Sequence, residues 1–259
     1  MKKVLLLLLL LAAPAGADDD LFARAGKDYA DRNYDAAIAK YEQLVKSGVR
    51  HEDLFYDLGN AYFRSAEAGQ PNRLGRAILA YERALAMAPG FDDARYNLEV
   101  ARDVVGQRYG QDKVKDAAAD PLWVRTATYL PLATLSWIFF VLDVVFFAVL
   151  IALRFLPTGF LRTGLLVMET FAGIGVVAIG VLLGAQVYFL ESVHMGVVTA
   201  DEIVMREGPD ASRREGPKLH AGHRAEILRE DHGWARLRLA NKVEGWVPAE
   251  TVEEIQRVL

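Results

Sequence analysis

Two apolar runs, Leu132 to Leu153 and Gly164 to Leu190, constrain this chain more than any other feature. Each is long enough to cross a hydrocarbon layer of about 30 Å as a helix, which takes ~20 residues. The first run holds one ionisable residue, Asp143, with Trp137 near its start and Arg154 just past its end. The second holds Glu169 and Gln186, with Tyr188 near its far end. Only residues 154–163 lie between the runs, and Pro157-Thr158-Gly159 breaks that stretch. The pattern predicts an antiparallel transmembrane hairpin, spans 132–153 and 164–190, closed by a short loop. The composition fits a chain divided between two solvents, since 53% of residues are hydrophobic while 25% are charged.

The N-terminus reads Met1-Lys2-Lys3, an apolar run from Val4 to Pro14, then Ala15-Gly16-Ala17. A basic start, a short apolar stretch and a small-x-small site predict a secretory signal peptide over 1–17, cut after Ala17. The alternative is an uncleaved signal anchor, and either one exports the segment that follows. The first span then returns the chain to the cytoplasm and the second takes it out again. Arg154 and Arg162 fall on the inner side, as the positive-inside rule asks. Lys113, Lys115 and Arg125 flank the outer side, so the signal peptide rather than loop charge sets this topology.

Residues 18–111 have helical periodicity with small residues at fixed places. Ala37, Tyr41 and Leu44 share one face, and Ala77, Tyr81 and Ala84 repeat that spacing before Pro89-Gly90. Upstream of the second set stand Phe55, Leu58-Gly59 and Tyr62. Phe55, Leu58, Gly59, Tyr62, Ala77, Tyr81, Ala84 and Pro89 together resemble the tetratricopeptide repeat, apart from an insertion around Glu67–Pro71 that lengthens the turn. A looser first repeat carries Leu21, Ala25, Tyr34, Ala37 and Tyr41. A last helix from Asp92 to about Gly106, with Tyr96 and Leu98, has no partner helix and is expected to cap the array. The resemblance implies five antiparallel helices and a groove for peptides or extended protein segments.

Residues 112–131 are read as a linker, and residues 195–259 as short strands with turns between them. Strand-like runs are Gly196–Ala200, Arg224–Leu228, Trp234–Leu239 and Glu244–Pro248. Turn residues stand at Gly208-Pro209, Ala221-Gly222, Asp231-His232-Gly233 and Ala240-Asn241. The series predicts a small antiparallel barrel. Arg206, Gly208, Pro209, Gly233, Trp234, Gly245 and Trp246 occur in the order and spacing of the bacterial SH3 domain, which this region resembles. Of the two tryptophans, at least one is expected in the core.

Signal peptide, tetratricopeptide-like repeats, paired spans and an SH3-like end are similar, in that order, to the BatE-type proteins of bacterial aerotolerance operons. The stretch Asp93–Leu98 resembles that family's last repeat helix. The resemblance implies a bacterial inner-membrane protein with both soluble modules outside the cytoplasm. It also implies membrane partners of the von Willebrand A type and a MoxR-type ATPase system. The fold class expected is a multidomain membrane protein: an all-α repeat array, a two-helix hairpin and a small all-β barrel.

The absence of cysteine excludes disulfides, thiolate metal sites and a cysteine nucleophile. The net charge of −4 leaves no basic surplus for a nucleic-acid backbone. No G-x-S-x-G, P-loop or H-E-x-x-H motif is present, so no enzyme activity, cofactor or metal is expected. His220, His223 and His232 are read as solvated loop residues rather than a metal site, and His51 as an exposed residue opening a helix. The expectation is a non-enzymatic scaffold whose modules bind proteins. The alternative is a cell-wall sensor whose SH3-like region binds peptidoglycan peptides. Asp143 breaks the rule against ionisable residues in mid-membrane and is read either as a partner contact or as a tolerated acid. Gly173, Gly180 and Gly184 line one face of the second span, a spacing for close helix packing against the first span or another subunit.

Overall fold

A computed structural model of the chain describes residues 15–110 and 132–255. Most of the expected signal peptide and the whole 112–131 linker lie outside the described residues. The described residues form seven α-helices, two of them long and apolar, and one seven-stranded antiparallel sheet. The chain therefore combines a helical part with a sheet.

Helices α1 (Ala15–Ala30), α2 (Tyr34–Lys46), α3 (Glu52–Glu67), α4 (Leu74–Met87) and α5 (Asp92–Tyr109) pack each on the next. The apolar positions that set their periodicity are the buried ones: Ala25, Ala37, Tyr41, Leu44, Leu58, Ala77, Tyr81 and Leu98. Local chemistry ends each helix where the sequence changes character. Gly48 takes φ +96° after α2, and Val49 N donates back to Leu44 O at 3.1 Å. His51 caps α3 by accepting from Asp53 N at 3.3 Å. The insertion after α3 becomes a 3-10 turn over Pro71–Arg73 that leads directly into α4.

Helix α6 runs Leu132–Leu153 and α7 runs Phe160–Ser192. Helix α7 begins four residues before the apolar run at Gly164, just after Pro157 and Gly159 end the preceding turn. The apolar stretches, Leu132–Leu153 and Phe160–Tyr188, span roughly 33 and 43 Å at ~1.5 Å per residue. Their large side chains stay exposed, among them Trp137, Phe140, Phe147, Ile151, Phe171 and Val177. Both helices are long and apolar enough to cross a membrane.

The sheet comprises β1 (Met195–Val198), β2 (Glu202–Arg206), β3 (Glu215–His220), β4 (Arg224–Asp231), β5 (Trp234–Arg238), β6 (Glu244–Pro248) and β7 (Val252–Glu254), in the order β3-β2-β6-β5-β4-β1-β7. Its inner face buries Val198, Met205, Leu219, Ala225, Ala235, Leu237, Val247 and Val252. The β4–β5 hairpin turns on His232 and Gly233, at φ +47° and +81°, with Asp231 opposite Trp234. Two successive positive φ values are what a two-residue hairpin of the right twist requires. Strands β2, β3 and β7 are additional to the four strand-like runs of the sequence.

The array and the sheet are in contact. Val197 of β1 and Ile255 after β7 belong to the same buried cluster as Tyr41, Ile78, Tyr81 and Val105, and Met195 packs against it. One apolar core thus continues from the helices into the sheet.

Candidate functional site

Beside the residues behind the repeat resemblance, Tyr56, Asp57 and Asn60 of α3 and Asn97 of α5 form a polar wall. Gly59 is the pivot. A Cβ there would stand 2.6 Å from Tyr81 Cε1, so only glycine lets the Tyr81 ring lie flat on the α3 backbone. With the ring so placed, Tyr81 OH donates to Asn60 Oδ1 at 2.8 Å. Asn97 Nδ2 of α5 donates to the same oxygen at 2.8 Å and reaches Tyr56 OH at 3.3 Å. Asp57 continues the ladder toward α2, holding hydrogen bonds from Tyr41 and Asn60. Burial, then the nearby Asp53 charge, pushes the Asp57 carboxyl up to about 6 despite those hydrogen bonds. Phe55, Leu58, Tyr62, Ala77 and Ala84 are buried behind this wall, and Tyr62 OH donates to Glu42. Pro89 ends the second pair, and its carbonyl accepts from Arg95. Asn97 lies in the Asp93–Leu98 stretch noted in the sequence, whereas Asn60, which directly follows the Leu58-Gly59 pair, was not singled out.

The residues behind the SH3-like resemblance meet on one stretch of sheet. Arg206 of β2 pairs with Trp246 of β6, which pairs with Arg236 of β5, which pairs with Arg229 of β4. Trp246 is buried, under the Arg229 guanidinium at 4.9 Å from its ring centroid. Trp234 is half-buried beside Pro248. Arg206 donates to Arg213 O at 2.9 Å and to Glu215 at 3.2 Å, closing the loop that holds Gly208 and Pro209. Gly245 is required by close approach, because a Cβ would stand 3.1 Å from Arg206 O and 2.9 Å from Met205 Cε.

Compared with known proteins, the sequence matches no family model and no curated protein. What the site can do therefore rests on its own geometry.

That geometry has a third part, the seam between array and sheet. Glu82 of α4 is buried, accepts from Arg102 of α5, and lies 3.5 Å from Arg224 Nε of β4. Removing one partner from such a buried group costs about 3–5 kcal/mol, because the remaining charges stay out of water. Arg83 donates to Glu254 O at 2.8 Å, and its Nη2 lies 3.5 Å from Glu253. At the end of α5, Tyr109 OH donates to Asp201 at 2.5 Å, and Arg108 lies 3.3 Å from the same carboxylate. Burial and the Asp201 bond push the Tyr109 hydroxyl up to about 12.

His220 and His223 are not solvated loop residues; they are 5% and 6% exposed. The His220 ring stacks on Tyr109 with centroids 4.1 Å apart, and His223 Nδ1 lies 2.9 Å from His220 O. The partner that buries them lies more than a hundred residues away in the chain, which local pattern does not reveal. His232 and His51 are exposed. Helix α5, expected as an unpaired cap, has the sheet beside its last turns. Among the described residues, no three His, Asp or Glu side chains gather into a group able to hold a metal ion.

In the hairpin, Gly173 and Gly180 face α6, where a Cβ would meet Phe146 at 3.1 Å and Phe139 at 3.4 Å. Gly184 faces open space instead. Asp143 is half-buried and shares the helical face of Phe139 and Phe146, so it lies along the seam with α7. Glu169 and Gln186 are buried on α7.

Proposed function

We propose that this chain is a non-enzymatic membrane scaffold that holds a protein partner at a set height above the bilayer. The observation that carries the reading is the contact between array and sheet. Two parts joined through a pair of spans can touch only on one side of a bilayer, and a two-helix hairpin returns the chain to that side. In this reading the array is a tetratricopeptide module and the sheet a bacterial SH3 module, both outside the cytoplasm on the inner membrane. The polar wall of Tyr56, Asp57, Asn60 and Asn97 takes an extended protein segment, with amides and hydroxyls placed to meet a peptide backbone. The resemblance to BatE-type proteins makes von Willebrand A membrane proteins and a MoxR-type ATPase system the partners to look for.

Cross-linking in membranes followed by recovery of the full chain tests the reading. Co-recovery of defined membrane proteins, lost when Asn60 and Asn97 are both changed to Ala, is the expected result. Failure to recover any protein, together with sedimentation of the purified full chain on sacculi, would replace it with the cell-wall sensor reading. Topology is tested separately: a reporter active only outside should work at Gln111 and at Leu259 and fail at Gly159.

A further inference from the structure

Helix α4 turns one face toward the sheet through Gly75, Ile78, Glu82 and Arg83, at helical spacing. What a Cβ at Gly75 would meet first lies outside the array. The three nearest atoms that a Cβ would meet are Thr199 O at 2.7 Å, Thr199 Cα at 2.8 Å and Val198 O at 2.9 Å. All three are backbone, and backbone does not move aside as a side-chain tip does. On the sheet side, a Cβ at Gly222 would collide with Ile78 of α4. Glu82 is likewise completed only across the seam, where Arg224 joins Arg102 at its carboxylate. Steric and electrostatic features of the array are therefore fitted to one surface of the same chain.

We propose that the sheet is the terminal cap of the helical array, docked where a helix pairing with α5 would pack. Glu82 selects the docking and Gly75 allows its closeness. A repeat array needs its last apolar face covered, and Val105 of α5 lies in one buried cluster with Val197 and Ile255 of the sheet side. The sheet covers that end by contact with both α4 and α5, and the wall on α3 and α5 stays partly exposed. The two soluble parts are thus one body in the working protein rather than two beads on a tether. The inference shares the contact between array and sheet with the scaffold reading but needs no partner, so the labelling test below and the recovery of partners fail separately.

The natural chain has no cysteine, so introduced pairs give clean spin labels. In the full chain in nanodiscs, one pair at Lys46 and Arg214 reports across the seam, and one at Lys46 and Tyr96 reports within the array. All three positions are exposed. The seam pair should give a single narrow distance distribution. Gly75→Ala should abolish the narrow peak while the array pair keeps its own, although alanine is the better helix former. Glu82→Gln should do the same. A broad seam distribution in the parent chain would overturn the proposal. So would a narrow one that survives both substitutions. Broadening of the array pair by Gly75→Ala would overturn it too, because the glycine would then serve the array's own packing.

Discussion

Replacing Gly59 by alanine sets helix propensity against packing, and the structure decides the sign. In an exposed helix interior the change would gain about 0.8–1.0 kcal/mol. Here the new methyl would stand 2.6 and 2.7 Å from two Tyr81 ring carbons. The ring cannot retreat easily: it is 1% exposed, and its hydroxyl is held by Asn60 at 2.8 Å. Overpacking of this kind costs about 1–3 kcal/mol. Loss of the Asn60 bond, if the ring tilts, adds about 0.5–1.5 kcal/mol. The balance is a net loss of about 0.5–3.5 kcal/mol once the propensity gain is set against both costs. Thermal unfolding of the full chain in micelles by far-UV circular dichroism measures the loss, and hydrogen exchange of α3 and α4 amides locates it. A double-mutant cycle gives the sharper outcome. In a Tyr81→Leu background the obstacle is gone, so Gly59→Ala should become stabilising by up to ~1 kcal/mol. A neutral or stabilising effect of Gly59→Ala beside an intact Tyr81 would refute the packing argument.

Asp57 holds its proton up to about pH 6 in the folded chain, against the ordinary value of 3.8. Between those two values the folded state binds more protons than the unfolded state, so stability should fall as pH rises through that window. Asp57→Asn should remove that part of the slope in melts taken from pH 4 to 7. In the hairpin, Gly173→Leu should disturb packing of the spans, whereas Gly184→Leu should be tolerated, because only the first meets a Phe ring. Helix-proximity labelling of α6 and α7 in membranes distinguishes the two, and equal disturbance by both would contradict the packing described. Asp143→Leu should leave insertion intact while lowering recovery of complexes from membranes, and Asp143→Asn should preserve it if a hydrogen bond suffices. Unchanged yield for both would make Asp143 a tolerated acid.

Local rules reached the helices and spans well because each rule concerns neighbours in sequence. Tyr41, Tyr81 and Leu98 are buried where helical periodicity puts them, and α6 has the bounds of its apolar run. The strands that alternation failed to mark have physical reasons for it. Strand β3 contains Gly216-Pro217 and buries only its last two residues, and β7 is three residues long. The seam was illegible for a deeper reason. Periodicity shows that Ile78 and Val105 face inward, but not that part of what they face is a sheet more than ninety residues later. Two signals were present in hindsight: Gly75 early in a helix that otherwise favours alanine and leucine, and Tyr109 at the end of α5. His220 and His223 were misread because their burial depends on that same distant surface.

Helix α7 passes into β1 with only Val193 and His194 between them, and His194 at the sheet end of that junction is held twice. Ile227 N donates to His194 O at 2.7 Å, and the His194 ring lies 2.7 Å from Glu254. The phase of this long apolar helix is therefore passed to everything attached to β1. Deleting one residue from the last turns of α7 would swivel the soluble body by about 100° around the span and lower it by only ~1.5 Å. Deleting seven would restore its bearing to within ~20° while lowering it by ~10 Å. A partner sensitive to azimuth would lose contact with the first variant, and one sensitive to elevation with the second.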